Sequence, residues 1–364
     1  MDFCLIHLSD FHLRTSDQLK TDKVLRSLNM DLKQRLDSLD LPSPHIALSG
    51  DLAFGGREEE YSIVDGFVSN LAENIHARSM SFCGGNHDVN WSLLHPLGTE
   101  LMNGMVEDWQ GGKVKTEARV EVDSDRELLV AGMAPYYAFL ERHGIHSSPD
   151  LFYTKQLTVA NLKLNIVSLN SAYLFSRKYN YHGYVGLRQM ARAVGQFSGE
   201  RSPSFNITLV HHPIEAIVPT AQEETRQHLF SWSDVILSGH VHSPGVTVEY
   251  TAGMLGRRRG GPPPVISGAR CVFDDSDDTT IIPGYSIIGI NFEYERAVAL
   301  KVWEVEFDRA KERWHYDENK QTYPLEVRIP AEKKLATEDS VGPKVTDAER
   351  KLLGSWAKGR EKGS

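Results

Sequence analysis

Cysteine is scarce in this sequence, with three residues, Cys4, Cys83 and Cys271, in a chain of 364. Thiols so few and so far apart exclude a disulfide framework and a zinc site built from thiolates. We therefore interpret the cysteines as small buried hydrophobic residues. The fold must then rest on an ordinary hydrophobic core, for which a 40% hydrophobic content is sufficient.

The sequence also lacks a long hydrophobic run and an excess of positive charge. No apolar run reaches the roughly 18 residues of a membrane span, and the N-terminus MDFCLIHLSD has no features of a secretory signal. We predict a cytoplasmic protein without a membrane partner. The formal net charge of −9 gives no global attraction to nucleic acid, so such a partner is not favoured, although a local basic patch would still permit it.

Short apolar runs alternate with helical patterns along most of the chain, which predicts an α/β fold with strands covered on both faces. Segments 19–39 and 58–78 have apolar residues three and four apart and are predicted helices. Toward the C-terminus, short connections predict an antiparallel meander over 264–273, 284–294 and 297–307. The earlier predicted strands are 3–8, 45–49, 80–83, 127–132, 164–169, 206–210 and 234–238.

Two segments stand apart from this alternation. Residues 89–126 form an insertion between core strands that is able to build a helical lid. Residues 331–364 are charged and weakly hydrophobic, so we predict a tail or linker, with a partner or a fused module as its possible attachment. We therefore divide the chain into one domain, 1–330, and this tail.

Side chains that bind metals follow five of the predicted strands, at the ends where ligand sites form in α/β sheets. The pairs Asp10/His12 and His240/His242 are each two residues apart, and residues so spaced in extended backbone project to one side. A single histidine is most often structural, but seven candidates on five strands favour a pair of metal ions. Carboxylate, imidazole and amide ligands suit manganese, iron, zinc, nickel or cobalt. The seven are Asp10, His12, Asp51, Asn86, His211, His240 and His242.

The same residues carry a family resemblance. D-x-H at 10–12, G-D at 50–51, G-N-H-D at 85–88, H-H-P at 211–213 and G-H-x-H at 239–242 resemble, in order and spacing, the calcineurin-like metallophosphoesterases. The resemblance spans roughly residues 1–305. It implies a two-sheet αββα sandwich with the active-site loops at one edge, and it makes 1–330 the metallophosphoesterase domain.

The resemblance also implies how the ligands are shared between two divalent ions, for which manganese or an iron–manganese pair is favoured. One ion would be held by Asp10, His12, Asp51 and His242, and the other by Asp51, Asn86, His211 and His240, so that Asp51 bridges them. The pair would activate a water for attack on phosphorus.

His87 and Asp88 fall outside this ligand set. We assign His87 to the substrate side, either as the general acid for the leaving oxygen or as a hydrogen-bond donor to the phosphoryl group. Asp88 is predicted to orient a histidine from behind.

Four further residues are candidate substrate contacts. His212 either contacts the substrate or only completes the H-H-P turn. Tyr173 and Arg177 lie in the aromatic and basic segment 170–186, which is able to stack a base and meet a phosphate or else packs against the domain. Arg257 belongs to a glycine-rich and proline-rich loop that either anchors an anion or is a solvated turn.

Three runs narrow the resemblance further. G-N-H-D-V-N-W (85–91), L-N-S-A-Y-L (169–174) and G-Y-V-G-L-R-Q (183–189) resemble a bacterial branch close to the class III cyclic-nucleotide phosphodiesterases. A phosphodiester of a cyclic or other small nucleotide is therefore the expected substrate. A phosphomonoesterase or a DNA or RNA nuclease with the same metal pair is the alternative, as is a catalytically silent nucleotide-sensing module. The sequence does not indicate an oligomeric state.

Overall fold

The computed structural model describes residues 1–16, 18–110, 123–145, 151–159, 161–175, 182–197, 204–241, 245–248, 265–268, 282–293 and 296–316. Within them, the strands are β1 (Phe3–Leu8), β2 (His45–Leu48), β3 (Ser79–Phe82), β4 (Phe152–Val159), β5 (Leu162–Leu169), β6 (Ser204–Val210), β7 (Val235–Ser238), β8 (Gly245–Val248), β9 (Val265–Gly268), β10 (Gly284–Glu293), β11 (Arg296–Asp308) and β12 (Arg313–Tyr316).

The α-helices of the same residues are α1 (Gln18–Ser38), α2 (Glu58–Asn74), α3 (Pro96–Gln110), α4 (Asp123–Val130), α5 (Ala134–Arg142), α6 (Leu187–Gly195) and α7 (Pro219–Trp232). Four short 3-10 helices accompany them at Asn86–Asp88, Trp91–Leu93, Ala131–Met133 and Ile214–Ala216. None of the described helices has the length and hydrophobicity needed to cross a membrane.

The strands form two mixed sheets of six strands each. The first has the order β12-β11-β10-β1-β2-β3, and the second has the order β4-β5-β6-β7-β9-β8. β1, β2 and β3 are parallel to one another, as are β5, β6 and β7. Because parallel neighbours end at the same edge, each sheet brings the loops after these strands together.

The hydrophobic core lies in three layers, which confirms the predicted two-sheet αββα sandwich. Between the sheets, Leu5 and Ala47 of the first sheet belong to one buried cluster with Ile207 and Leu237 of the second. α1, α2 and α5 cover the outer face of the first sheet, and α6 and α7 cover that of the second. Both faces of the parallel strands are thus removed from water, as their continuous apolar sequences require.

The prediction of a strand at 127–132 was wrong, because this segment is the end of α4 and the beginning of the 3-10 helix that follows it. Leu129 and Val130 are buried against Met102 and Met105 of α3, so the apolar run packs on a helix and not in a sheet. The helical connection between β3 and β4 consequently extends to Arg142, beyond the predicted 89–126. Its role as a lid stays a prediction.

The structure confirms only part of the predicted C-terminal meander. β10, β11 and β12 are antiparallel neighbours in the first sheet. β9, within the predicted strand 264–273, instead lies in the second sheet, parallel to β7 and antiparallel to β8. The tail 331–364 lies outside the described residues.

Candidate metal centre

The loops after β1 and β2 continue the parallel pairing of their strands. The Asp10 amide donates to the Gly50 carbonyl at 3.0 Å, and the His12 amide donates to the Asp51 carbonyl at 3.0 Å. Backbone pairing beyond the strand ends therefore fixes the loops that carry both carboxylates. Asp10 and Asp51 are 0% and 1% exposed, so their charges lie in a buried site.

Four of the candidate ligands have left-handed backbone. The φ angles are 55° at Asp10, 47° at His12, 52° at Asp51 and 72° at His240. Extended backbone, which we predicted to aim Asp10 and His12 to one side, is therefore not the reason that these two side chains converge. A non-glycine residue in this region costs about 1–3 kcal/mol, and such strain concentrates at functional sites. The strain is maintained by the loop hydrogen bonds around it.

The first half of the site is formed by Asp10, His12 and Asp51. The His12 Nε2 atom lies 3.8 Å from the Asp10 Oδ1 atom and 3.9 Å from the Asp51 Oδ2 atom. The Asp51 Oδ2 atom also lies 3.2 Å from the His211 Nε2 atom. Asp51 thus stands between histidines delivered by different sheets, which is the position a bridging ligand requires.

The second half is centred on the side-chain oxygen of Asn86. It lies 3.1 Å from His211 Nε2 and 3.0 Å from His240 Nδ1. His211 Nδ1 donates to the Ser49 carbonyl at 2.8 Å, and this leaves Nε2 as the atom that faces the site. The structure therefore brings together six of the seven predicted ligands. The seventh, His242, lies outside the described residues.

Two glycines permit the close approach of these loops. A Cβ atom on Gly85 would lie 2.2 Å from the Asp51 Oδ1 atom. One on Gly50 would lie 2.5 Å from His211 Nδ1, and the Gly50 φ of 95° disfavours any side chain. Both positions thus allow backbone to pack against a candidate ligand where a larger residue would displace it.

The ionisable groups of the site shift one another's pKa values. Burial alone would lower the pKa of His211, but the Asp51 carboxylate raises this pKa to about 9. Burial opposes the ionisation of Asp51, yet His211 and His12 hold the pKa of Asp51 well below its usual range. Buried carboxylates that remain ionised require a positive partner, and here a histidine proton supplies part of that charge.

The donor atoms fit divalent metal ions. Three overlapping groups each bring one ligand atom per residue to within 4.8 Å of one another: His12, Asp51 and His87; Asp10, Asp51 and His211; and His211, His212 and His240. Oxygen and imidazole donors without thiolate suit manganese, iron, zinc, nickel or cobalt. Asp51 and His211 each belong to two groups, so the groups form one continuous site.

The described contacts of Asp88 differ from our prediction that it orients a histidine. Its Oδ1 atom accepts hydrogen bonds from the Leu52 and Ala53 amides, both at 3.1 Å, and from the Tyr61 hydroxyl at 2.7 Å. Its Oδ2 atom accepts from the Gly85 amide at 2.8 Å. Asp88 therefore ties the loop after β2 to the loop after β3 and is a positioning residue.

The environment of Asp88 also changes its protonation. Burial and the neighbouring Asp51 charge raise the pKa of Asp88 to about 6, although its hydrogen bonds from Tyr61 and the backbone act in the opposite direction. The larger cause is burial of the Asp88 carboxyl group, and the repulsion from Asp51 adds to it. A bound cation would relieve this repulsion.

His87 lies at the partly exposed rim of the site. Its amide donates to Asp51 Oδ1 at 2.7 Å, and its Nδ1 donates to the Phe54 carbonyl at 2.7 Å. Its ring meets the His12 ring edge-on, with centroids 4.5 Å apart. With Nδ1 held, Nε2 is the nitrogen left to face a substrate, and the role of His87 as general acid or as donor to the phosphoryl group stays a prediction.

The predicted substrate contacts divide into two groups. His212 is buried, its Nδ1 atom is 2.8 Å from the Ser171 hydroxyl, and its ring stacks on Phe175. Burial and the nearby His211 and His240 lower the pKa of His212 well below its usual range, so it is neutral. Tyr173 packs in the core against Tyr184, which supports the packing alternative. Arg177 and Arg257 lie outside the described residues.

Sequence reasoning missed several residues that support the site. Tyr61 of α2 and Ser171 after β5 contact Asp88 and His212, but neither residue type at those positions signals such a role. Phe54, which follows the second motif, lies against His87 at the rim, and Arg14, which follows the first motif, lies over the Phe54 ring. Only the folded arrangement identifies them.

No protein-family model matches the sequence, and no curated protein matches it. Solved structures similar to it include the sulfate thiohydrolase SoxB of Thermus thermophilus in complex with glycerol, at 12% identity and a TM-score of 0.43, covering 83% of this chain and 56% of that one. The purple acid phosphatase PPD1 of yellow lupin seeds is 12% identical with a TM-score of 0.47, and the match covers 86% of this chain and 52% of that one. The NAD nucleotidase NadN of Haemophilus influenzae is 11% identical with a TM-score of 0.38, and the match covers 86% of this chain and 49% of that one.

This chain spans about half the length of these solved chains.

Proposed function

We propose that this chain is a binuclear metal-dependent phosphoesterase that hydrolyses a phosphodiester of a cyclic or other small nucleotide. The observation that supports the proposal is the convergence of buried carboxylate, amide and imidazole donors from five loops around Asp51. A core assembled only for packing has no need of ionised groups so deeply buried. The G-N-H-D and G-H-x-H runs add the resemblance to phosphoesterases.

The residues named above would hold two divalent ions, with manganese or an iron–manganese pair favoured. When bound, such ions lower the pKa of a water, neutralise the phosphoryl oxygens and align the substrate. Asp10, His12 and Asp51 would serve one ion, with His242 as an expected further ligand. Asp51, Asn86, His211 and His240 would serve the other.

The chain's own residues would then position and protonate the substrate. As an oxygen–phosphorus bond forms on one side, the bond to the leaving oxygen breaks and its electron pair stays with that oxygen. His87 would donate its Nε2 proton there, because Nδ1 is engaged by the Phe54 carbonyl. His212, neutral and adjacent to His240, would contact the phosphoryl group from the other side.

A substrate panel tests this proposal. Purified protein supplied with Mn²⁺ should hydrolyse bis-p-nitrophenyl phosphate and cyclic nucleotides faster than p-nitrophenyl phosphate or single-stranded DNA, and EDTA should abolish the activity. Preference for p-nitrophenyl phosphate would instead indicate a phosphomonoesterase, and preference for DNA a nuclease. Bound metal without hydrolysis of any ester would indicate a sensing module and contradict the proposal.

The cytoplasmic location and a small nucleotide as the main partner remain predictions. A role for residues 331–364 in holding another module is likewise a proposal from their composition.

A further inference from the structure

Arg14 and Phe54 form a small wall in which Phe54 lies beside His87 and Arg14 lies over the Phe54 ring. The Phe54 ring centroid lies 5.5 Å from that of His87. The Arg14 guanidinium carbon lies 4.3 Å from the centroid of the Phe54 ring, which is within the range of a cation–π contact. A planar cation and an aromatic ring are therefore stacked next to the proposed proton donor.

The backbone holds this wall in place. Leu13 and Ala53 form a parallel bridge, and the Phe54 amide donates to the Leu13 carbonyl at 3.0 Å. The next residue is fixed as well, because the Gly55 amide donates to Glu60 Oε2 at 2.9 Å. The two side chains thus project from the paired loops that also carry the candidate ligands. A wall of this kind is preorganised for binding.

Phe54 is exposed where its chain neighbours are not. Leu52 and Ala53 are fully buried, whereas Phe54 is 41% exposed. A lone exposed hydrophobic residue is ordinary on a protein surface. Within the described part of the chain, however, Phe54 is the one aromatic residue among the exposed large hydrophobic side chains, and it lies at the rim of the candidate site.

We infer that Arg14 and Phe54 form the subsite for the leaving group and that this group is a nucleoside whose base stacks on them. The inference rests on the proposed function, because His87 can protonate the leaving oxygen only if the leaving group lies on the His87 side. A simple alkyl alcohol would gain little from a flat cation and ring. A nucleobase offers a π-face for Phe54 and ring acceptor atoms for Arg14.

The test compares two substrates that differ only in the base of the leaving group. One is the diadenosine 3′,5′-phosphodiester, and the other is its counterpart with an abasic leaving ribose. Wild-type protein should show a kcat/KM about tenfold higher for the first substrate, in line with the contribution of one stacked base.

Phe54→Leu should reduce the ratio of the two kcat/KM values to near one, while Phe54→Trp should preserve it. The matched control is Met30→Ala, which removes an exposed apolar side chain from α1 and should leave the ratio as in wild type.

A binding measurement separates this inference from the proposed function. Stacking quenches the fluorescence of 2-aminopurine riboside monophosphate, so titration with wild-type protein should quench it and Phe54→Leu should weaken the quenching at least several-fold. If both substrates are hydrolysed and the ratio of their kcat/KM values is the same in wild type and Phe54→Leu, the subsite is overturned but the proposed phosphoesterase activity is not. Quenching that depends on Phe54 without any turnover would show that Phe54 binds a base, but it would contradict the phosphoesterase and, with it, the assignment of this base to a leaving group.

Discussion

At the residue scale, the two assignments open for His87 make different predictions. Its amide, which contacts Asp51, is kept in His87→Ala, so the metal site should stay intact. Loss of a general acid should lower kcat by roughly 10²–10⁴-fold. The loss should be largest for substrates with alkyl leaving groups, because p-nitrophenolate leaves without a proton.

Steady-state kinetics and elemental analysis of the same preparations check this prediction. His228→Ala, which removes an exposed histidine from α7, is the matched control and should behave as wild type. An equal loss for alkyl and aryl substrates would favour a donor to the phosphoryl group. Loss of metal from His87→Ala would contradict both assignments.

At the element scale, the close packing of the loops after β2 and β3 depends on glycine. Gly50→Ala would place a Cβ against His211 Nδ1 and strain a left-handed backbone. We expect a loss of about 1–3 kcal/mol in the free energy of unfolding, together with weaker metal binding. Urea denaturation and a Mn²⁺ titration measure the two effects.

The control for this substitution is Gly66→Ala, on α2, where a Cβ meets no atom within 4 Å. Because alanine is favoured over glycine inside a helix, the free energy of unfolding of this variant should be about 0.5–1 kcal/mol higher than that of wild type. If Gly50→Ala behaved like Gly66→Ala, the close approach of Gly50 and His211 would be refuted.

The elements also show what sequence patterns can and cannot predict. The five motifs identified the candidate ligands because each follows a strand whose apolar run is easily read. The strand at 127–132 failed, since an apolar run of that length fits a helix packed on α3 equally well. The partners of Asp88 depend on which loops meet in space, and no local spacing encodes that.

At the scale of the whole molecule, stability should depend on buried neutral histidines. His45 is fully buried at the start of β2, and its Nδ1 lies 2.7 Å from the Ser79 hydroxyl. Burial, together with the charges of Lys155 and Arg78, lowers the pKa of His45 from 6.5 to about 3. Between these pH values the unfolded chain binds a proton that the folded chain does not, so stability falls as the pH falls below about 6.5.

In that pH window, His45 should lower the free energy of unfolding by up to about 1.4 kcal/mol for each unit by which the pH falls. Urea denaturation of His45→Gln between pH 6.5 and pH 5 should therefore show a shallower loss of stability than wild type. His315→Gln, at an exposed position of β12, should keep the wild-type slope. Identical slopes for all three proteins would show that His45 is not the buried neutral group described.

The proposed metal centre involves the whole molecule, because five loops from two sheets would hold a pair of metal ions around Asp51. The most direct test is elemental analysis of protein reconstituted with Mn²⁺ and freed of excess metal, for wild type and Asp51→Asn. We predict about two equivalents in wild type, as for a binuclear centre, and at most one in Asp51→Asn. Wild type without bound metal, or a variant that keeps both equivalents, would contradict a binuclear centre bridged by Asp51.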